Sequence, residues 1–171
     1  AVQFIYYEIL KRRKKLNRHN KGMYNTKSRF FRVIREGNYT SFPGFFGMLM
    51  RNCNTLPLAA NHQVMNEFMA ALKNLTAKGD FILVYPEQSM WWNYRKPKPL
   101  KKGTFLFAAK NNVPVIPTFI TMEDSDVVDA DGFPVQAYTI HICPPIFCQE
   151  GFTQKENIDY MMYVNYTMWK E

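Results

Sequence analysis

Asp80-Phe81-Ile82-Leu83-Val84-Tyr85-Pro86-Glu87 opens the most informative block of the chain. A basic aromatic loop follows it, then Lys102-Gly103, then Val113-Pro114-Val115-Ile116-Pro117. Residues 81–85 form a short continuous apolar run, which reads as a buried strand that Pro86 ends. A helix is expected over 103–112 and a second strand over 113–121. A carboxylate at the carboxyl end of a strand, as Glu87 is here, stands where α/β proteins collect their ligands.

The pattern extends in both directions. Upstream, Val64, Met65, Phe68, Met69, Leu72 and Leu75 line one side of a helix over 62–78, with Gly79 where a C-cap belongs. Residues 30–34 are β-prone, 45–51 read as a short helix and 55–58 as a brief strand. Residues 1–16 read as a helix with a basic end. Downstream, residues 138–143 form a strand stopped by Pro144-Pro145, and Thr153-Gln154-Lys155-Glu156 is a capping box opening a terminal helix. Strands alternating with helices argue an α/β fold: a central mixed β-sheet flanked by helices. With 171 residues and no linker, residues 1–171 are expected to form a single domain. The chain opens in what reads as the middle of a helix, so it is expected to be truncated at its amino end.

Composition narrows the function. Hydrophobic residues make up 47% and charged residues 21%, a globular rather than a disordered profile. No apolar run reaches the roughly 18 residues of a membrane span. Three cysteines are too few for a disulfide scaffold, and Cys143 and Cys148 lack the second pair that zinc needs. They are expected to be reduced and buried, in a cytosolic compartment. No metal or other cofactor is expected. The net charge is +8, and half of the 22 basic residues lie between Lys11 and Arg35, uninterrupted by acid. A second basic cluster, Arg95 to Lys102, adjoins Trp91 and Trp92. Such clusters suit nucleic-acid phosphates or an anionic membrane surface, and composition does not choose between them. Tryptophans beside basic residues fit the headgroup layer of a membrane and also fit base stacking. The acidic run of Glu123, Asp124, Asp126, Asp129 and Asp131 reads as a solvated loop.

The order and spacing of Gly44-Phe45-Phe46-Gly47-Met48-Leu49-Met50-Arg51, Tyr85-Pro86-Glu87 and Val113-Pro114-Val115-Ile116-Pro117 resemble the glycerolipid acyltransferases, the family of the lysophosphatidic acid acyltransferases. The likeness covers roughly residues 27–122. The family's third motif reads Phe-Pro-Glu-Gly-Thr/Ser-Arg and its fourth Val-Pro-x-x-Pro. The fourth is matched in full and the third in part, with Tyr85 for Phe, Gln88 for Gly and Met90 for Arg. The Arg that ends the family's second motif aligns near Ala60. These arginines are associated with the acceptor's phosphate, so a lysophosphatidate acceptor is in question.

The resemblance implies transfer of a fatty acyl group from acyl-CoA or acyl carrier protein to a hydroxyl of a glycerolipid or other lysolipid precursor, as in phospholipid synthesis. It implies a peripheral place on the cytoplasmic side of a membrane, with nucleic acid set aside. Tyr85, Pro86 and Glu87 would shape the acceptor site. Arg35, Arg51, Arg95 and Lys102 would supply positive charge for phosphate or phosphopantetheine, and Trp91 and Trp92 would touch the membrane. The family's catalytic pair, His-x4-Asp, uses the His as general base and the Asp to orient it. None of His19, His62 and His141 has an Asp at that spacing. His62 has Glu67 five residues on, on another helix face and on the wrong side of the Phe-Phe-Gly segment. The pair is therefore expected upstream of Ala1, and the chain by itself is expected to be inactive. The competing readings are a basic nucleic-acid-binding domain and a catalytically inactive lipid-binding protein of the same fold.

Overall fold

A computed structural model describes residues 28–58, 61–89 and 96–170. The fold is α/β, and it comprises two compact units divided between Tyr85 and Pro86. The helix expected over 1–16 and most of the basic arm lie outside the described residues.

The first unit holds β1 (Phe30–Arg35), α1 (Glu36–Thr40), α2 (Gly44–Asn52), β2 (Thr55–Leu58), α3 (His62–Ala77) and β3 (Phe81–Leu83). The strands form a parallel sheet in the order β2-β1-β3. β1 pairs Arg32 with Thr55 on one side and with Leu83 on the other. Parallel neighbours need crossover connections, and α1–α2 and α3 are those crossovers. Pro57 lacks an N–H, and β2 is an edge strand, where that loss is tolerated. Asn61 caps α3 by accepting from the Gln63 N–H at 2.8 Å, and Phe68 and Leu72 are its buried residues. Gly79 ends it at φ 76°, a left-handed conformation that glycine adopts without a Cβ penalty. The strand expected over 81–85 is shorter, three residues long, and half-buried. It too lies at an edge of the sheet.

The second unit holds α4 (Gly103–Asn111), β4 (Thr118–Val128), β5 (Pro134–Ile142) and α5 (Gln154–Lys170). β4 and β5 form an antiparallel hairpin of their own, so parallel and antiparallel pairing occupy two sheets instead of one. The strand expected over 113–121 begins only at Thr118. Pro114 and Pro117 cannot donate to a ladder, and Val115 makes a single bridge, to Ile146. The acidic run is likewise not all loop. Glu123, Asp124 and Asp126 lie in β4, exposed as a two-stranded ribbon allows, and Asp129 turns the hairpin by accepting from the N–H groups of Asp131 and Phe133 at 2.9 and 3.0 Å.

Phe105, Ala108, Ile146 and Met161 form the second unit's core, where α4 packs on α5. Phe119 stacks on Trp169 at 5.1 Å, tying β4 to α5. The capping box of α5 is formed. The Thr153 N–H and hydroxyl both donate to Glu156 at 2.7 Å, and these bonds pull the Glu156 carboxyl below its usual range. Among the described residues, no helix is long and apolar enough to cross a membrane.

Candidate active site

In an order of β2-β1-β3, the chain leaves β1 toward one side and returns to the other. The topological switch therefore lies between β1 and β3, and crevices outside the carboxyl ends of strands at such a point bind ligands. Arg35 ends β1 and is exposed there. Tyr85 follows β3 by two residues and is also exposed. The register that sets Arg32 beside Leu83 puts Arg32 and Tyr85 on the same sheet face. Partial burial pushes the Tyr85 hydroxyl up, and the Arg32 guanidinium offsets part of that rise. Arg32 also donates to the Cys53 carbonyl at 3.2 Å. Sequence reasoning counted Arg32 only as part of the basic arm. Its signal was a charge at the centre of a β-prone run.

The helix that begins Gly44-Phe45-Phe46-Gly47 has a steric reason for its second glycine. A Cβ on Gly47 would stand 1.9 Å from the Phe42 carbonyl oxygen. Only glycine lets the first turns of α2 fold back against Phe42. Phe42, Phe45 and Phe46 are exposed, and the Phe45 and Phe46 rings meet edge to face at 6.2 Å. Arg51, one turn beyond, reaches back along this helix and donates to the Tyr39 carbonyl at 3.4 Å.

In the second unit, residues 86–89 form a tight turn. Gln88 stands where the family motif has glycine, and its φ of 54° is left-handed. A side chain there costs roughly 1–2 kcal/mol. The glycine of the motif thus has a backbone reason, and this chain keeps the conformation without the residue that suits it. The Pro86 carbonyl accepts from the Lys101 N–H at 2.8 Å, so the basic loop closes at its base. Burial pushes the Glu87 carboxyl up. The backbone N–H and the charge of Lys98 pull it back, and the net direction is upward.

Lys98 is the residue that sequence reasoning missed. It is 7% exposed, and its ammonium donates to Ser89 Oγ at 2.9 Å. Its one distinguishing sign was position: Pro97 and Pro99 bracket it and hold the backbone extended, unlike Lys101 and Lys102. Lys102, expected at the acceptor, pairs with Asp159 of α5 at 2.6 Å on the surface. Arg95, Trp91 and Trp92 lie outside the described residues, as do Ala60 and Met90. His62 is exposed at the start of α3. His141 shares a hydrogen bond with Thr121 across the hairpin at 2.9 Å. The three cysteines are free and half-buried rather than fully buried, and burial pushes the Cys143 and Cys148 thiols up.

A family model described as Acyltransferase matches residues 18–121, more than half of the chain. Neither a curated protein nor a solved structure matches it. The matched span runs from before β1 through Tyr85-Pro86-Glu87 to Val113-Pro114-Val115-Ile116-Pro117. The chain belongs to the Acyltransferase family, the glycerolipid acyltransferases whose motifs it carries.

Proposed function

We propose that the chain takes part in transferring a fatty acyl group from a thioester, acyl-CoA or acyl carrier protein, to a hydroxyl of a lysolipid precursor in phospholipid synthesis. The observation that carries this reading is the Tyr85-Pro86-Glu87 turn, which leaves the carboxyl end of β3 within the span that the family matches. In the reaction, a general base takes the acceptor's hydroxyl proton. The oxygen attacks the thioester carbonyl, the C–S bond breaks, and the thiol leaves with a proton. The base and its orienting carboxylate would be a His-x4-Asp pair, which these 171 residues do not contain. The test uses the product of the whole gene.

Glu87 shapes the acceptor site. The basic residues and the Trp91-Trp92 pair suit an anionic lipid surface, which supports a peripheral place on the cytoplasmic face of a membrane. The test supplies acyl-CoA and acyl carrier protein thioesters in turn with lysophosphatidate, with other lysophospholipids and with neutral glycerides. Acylated lipid together with released thiol is the expected result. Tight lipid binding with no acyl transfer under any pairing would favour the inactive lipid-binding protein. Binding to oligonucleotides that falls steeply with salt, with indifference to vesicles, would favour the nucleic-acid reading.

A further inference from the structure

Lys98 holds Glu87 at two places. Its backbone N–H donates to the Glu87 carboxyl. Its ammonium donates to Ser89 Oγ at 2.9 Å, and that hydroxyl donates in turn to the Glu87 backbone carbonyl at 3.3 Å. The loop that carries Lys98 is closed at its base by the bond from Lys101 to Pro86. An ammonium is among the most expensive groups to bury, and a turn needs only an apolar residue to be stable. The same turn also bears the left-handed Gln88. Two unfavourable features within a few residues of a carboxylate mark a place where geometry is being fixed for use.

We propose that Lys98 is a positioning residue: through Ser89 and its own backbone it fixes the turn that presents the Glu87 carboxyl to the acyl acceptor. This rests on the acyltransferase reading, in which Glu87 shapes the acceptor site. Among the described residues, Lys98 is the charged group that acts on the Glu87 carboxyl. It opposes the burial that favours the protonated form, so removing its charge lets Glu87 protonate at higher pH.

Two measurements test the proposal separately from the function. The first follows the Glu87 side-chain carboxyl by NMR in the chain labelled with 13C-glutamate. Lys98→Met moves the Glu87 titration to higher pH, and Lys98→Arg returns it toward the wild-type curve. The second uses the full-length product. Lys98→Met lowers kcat/KM for the acceptor on the order of a hundredfold and leaves KM for the thioester unchanged, and the acid limb of its pH–rate profile moves up. Lys98→Arg restores both.

A purely structural lysine would instead lower the melting temperature with no movement of the titration or of the pH profile, and that result overturns the proposal. If Lys98→Met does not fold, Ser89→Ala severs the same relay. An unchanged kcat/KM for the acceptor in that variant also overturns it. If the wild-type product transfers no acyl group, the functional reading fails, and the NMR titration still decides whether Lys98 governs Glu87.

Discussion

Arg29 and Asp80 join the amino-terminal ends of β1 and β3. The Arg29 N–H donates to Asp80 Oδ1 at 2.7 Å and its guanidinium to Oδ2 at 3.0 Å, while the Phe81 N–H donates to the Arg29 carbonyl at 2.8 Å. This clamp sets the register at the end of the sheet opposite Arg35 and Tyr85. Burial opposes ionisation of Asp80. The Arg29 bonds and the charges of Arg29 and Lys78 outweigh it and hold the carboxyl below its usual range.

Asp80 therefore contributes stability that is present in full at neutral pH. That contribution declines as the pH falls below about 4, where an unfolded aspartate begins to protonate, and it vanishes once the folded carboxyl protonates. Because Arg29 is half-exposed, Asp80→Asn is expected to cost only about 1–2 kcal/mol at pH 7. Urea unfolding of both proteins at pH 7 and pH 3 checks this, since the gap between them must narrow at the lower pH.

Gly47→Ala forces a Cβ into the Phe42 carbonyl oxygen, a backbone atom that cannot swing aside. The expected cost is about 1–3 kcal/mol. Gly37 is the control, because a Cβ there meets nothing within 4 Å. Gly37→Ala in α1 is neutral or stabilising by up to about 1 kcal/mol. Equal losses from both variants by denaturant unfolding would contradict the steric account.

Gln88→Gly relieves the left-handed strain at the cost of a more flexible unfolded chain. The net is a gain of up to about 1 kcal/mol. Gln88→Ala retains the strain and gives no such gain. Differential scanning calorimetry of the two variants separates them.

Phe105 is fully buried between α4 and α5, and truncation to alanine leaves a cavity in the second unit's core. The expected loss is about 3–5 kcal/mol, read by urea unfolding. Hydrogen exchange should show faster exchange in α4 and α5 than in α3, because the division between Tyr85 and Pro86 assigns these helices to different units.

The sequence made α2 to α5 and the central strand β1 legible because their signals are local, whereas the short α1 over Glu36–Thr40 carries no such signal. The apolar side of α3, its terminal Gly79 and the Thr153–Glu156 box are all read within one or two turns of chain. The shift of β4 was not read, because a Val-Pro-x-x-Pro run looks β-prone by side chain while its prolines withhold the donors a ladder requires. The splitting of the strands into two sheets depends on pairing between distant segments, which no local pattern encodes. At the site, Tyr85-Pro86-Glu87 was visible as a strand end. Lys98 was not, because the burial of one lysine among several is a property of the folded loop. Lys102, which the resemblance singled out, pairs with Asp159 of α5 on the surface.

The central claim is that the Glu87 turn serves acyl transfer to a lipid hydroxyl. Thiol release from acyl thioester by the full-length product, measured with a lysophospholipid acceptor for wild type and Glu87→Gln, tests it most directly. The account predicts acceptor-dependent thiol release by the wild type and a fall in kcat/KM on the order of a hundredfold in the variant, with folding unchanged. Acceptor-dependent release that is equal in the two proteins, or none in the wild type with any acceptor, would contradict it.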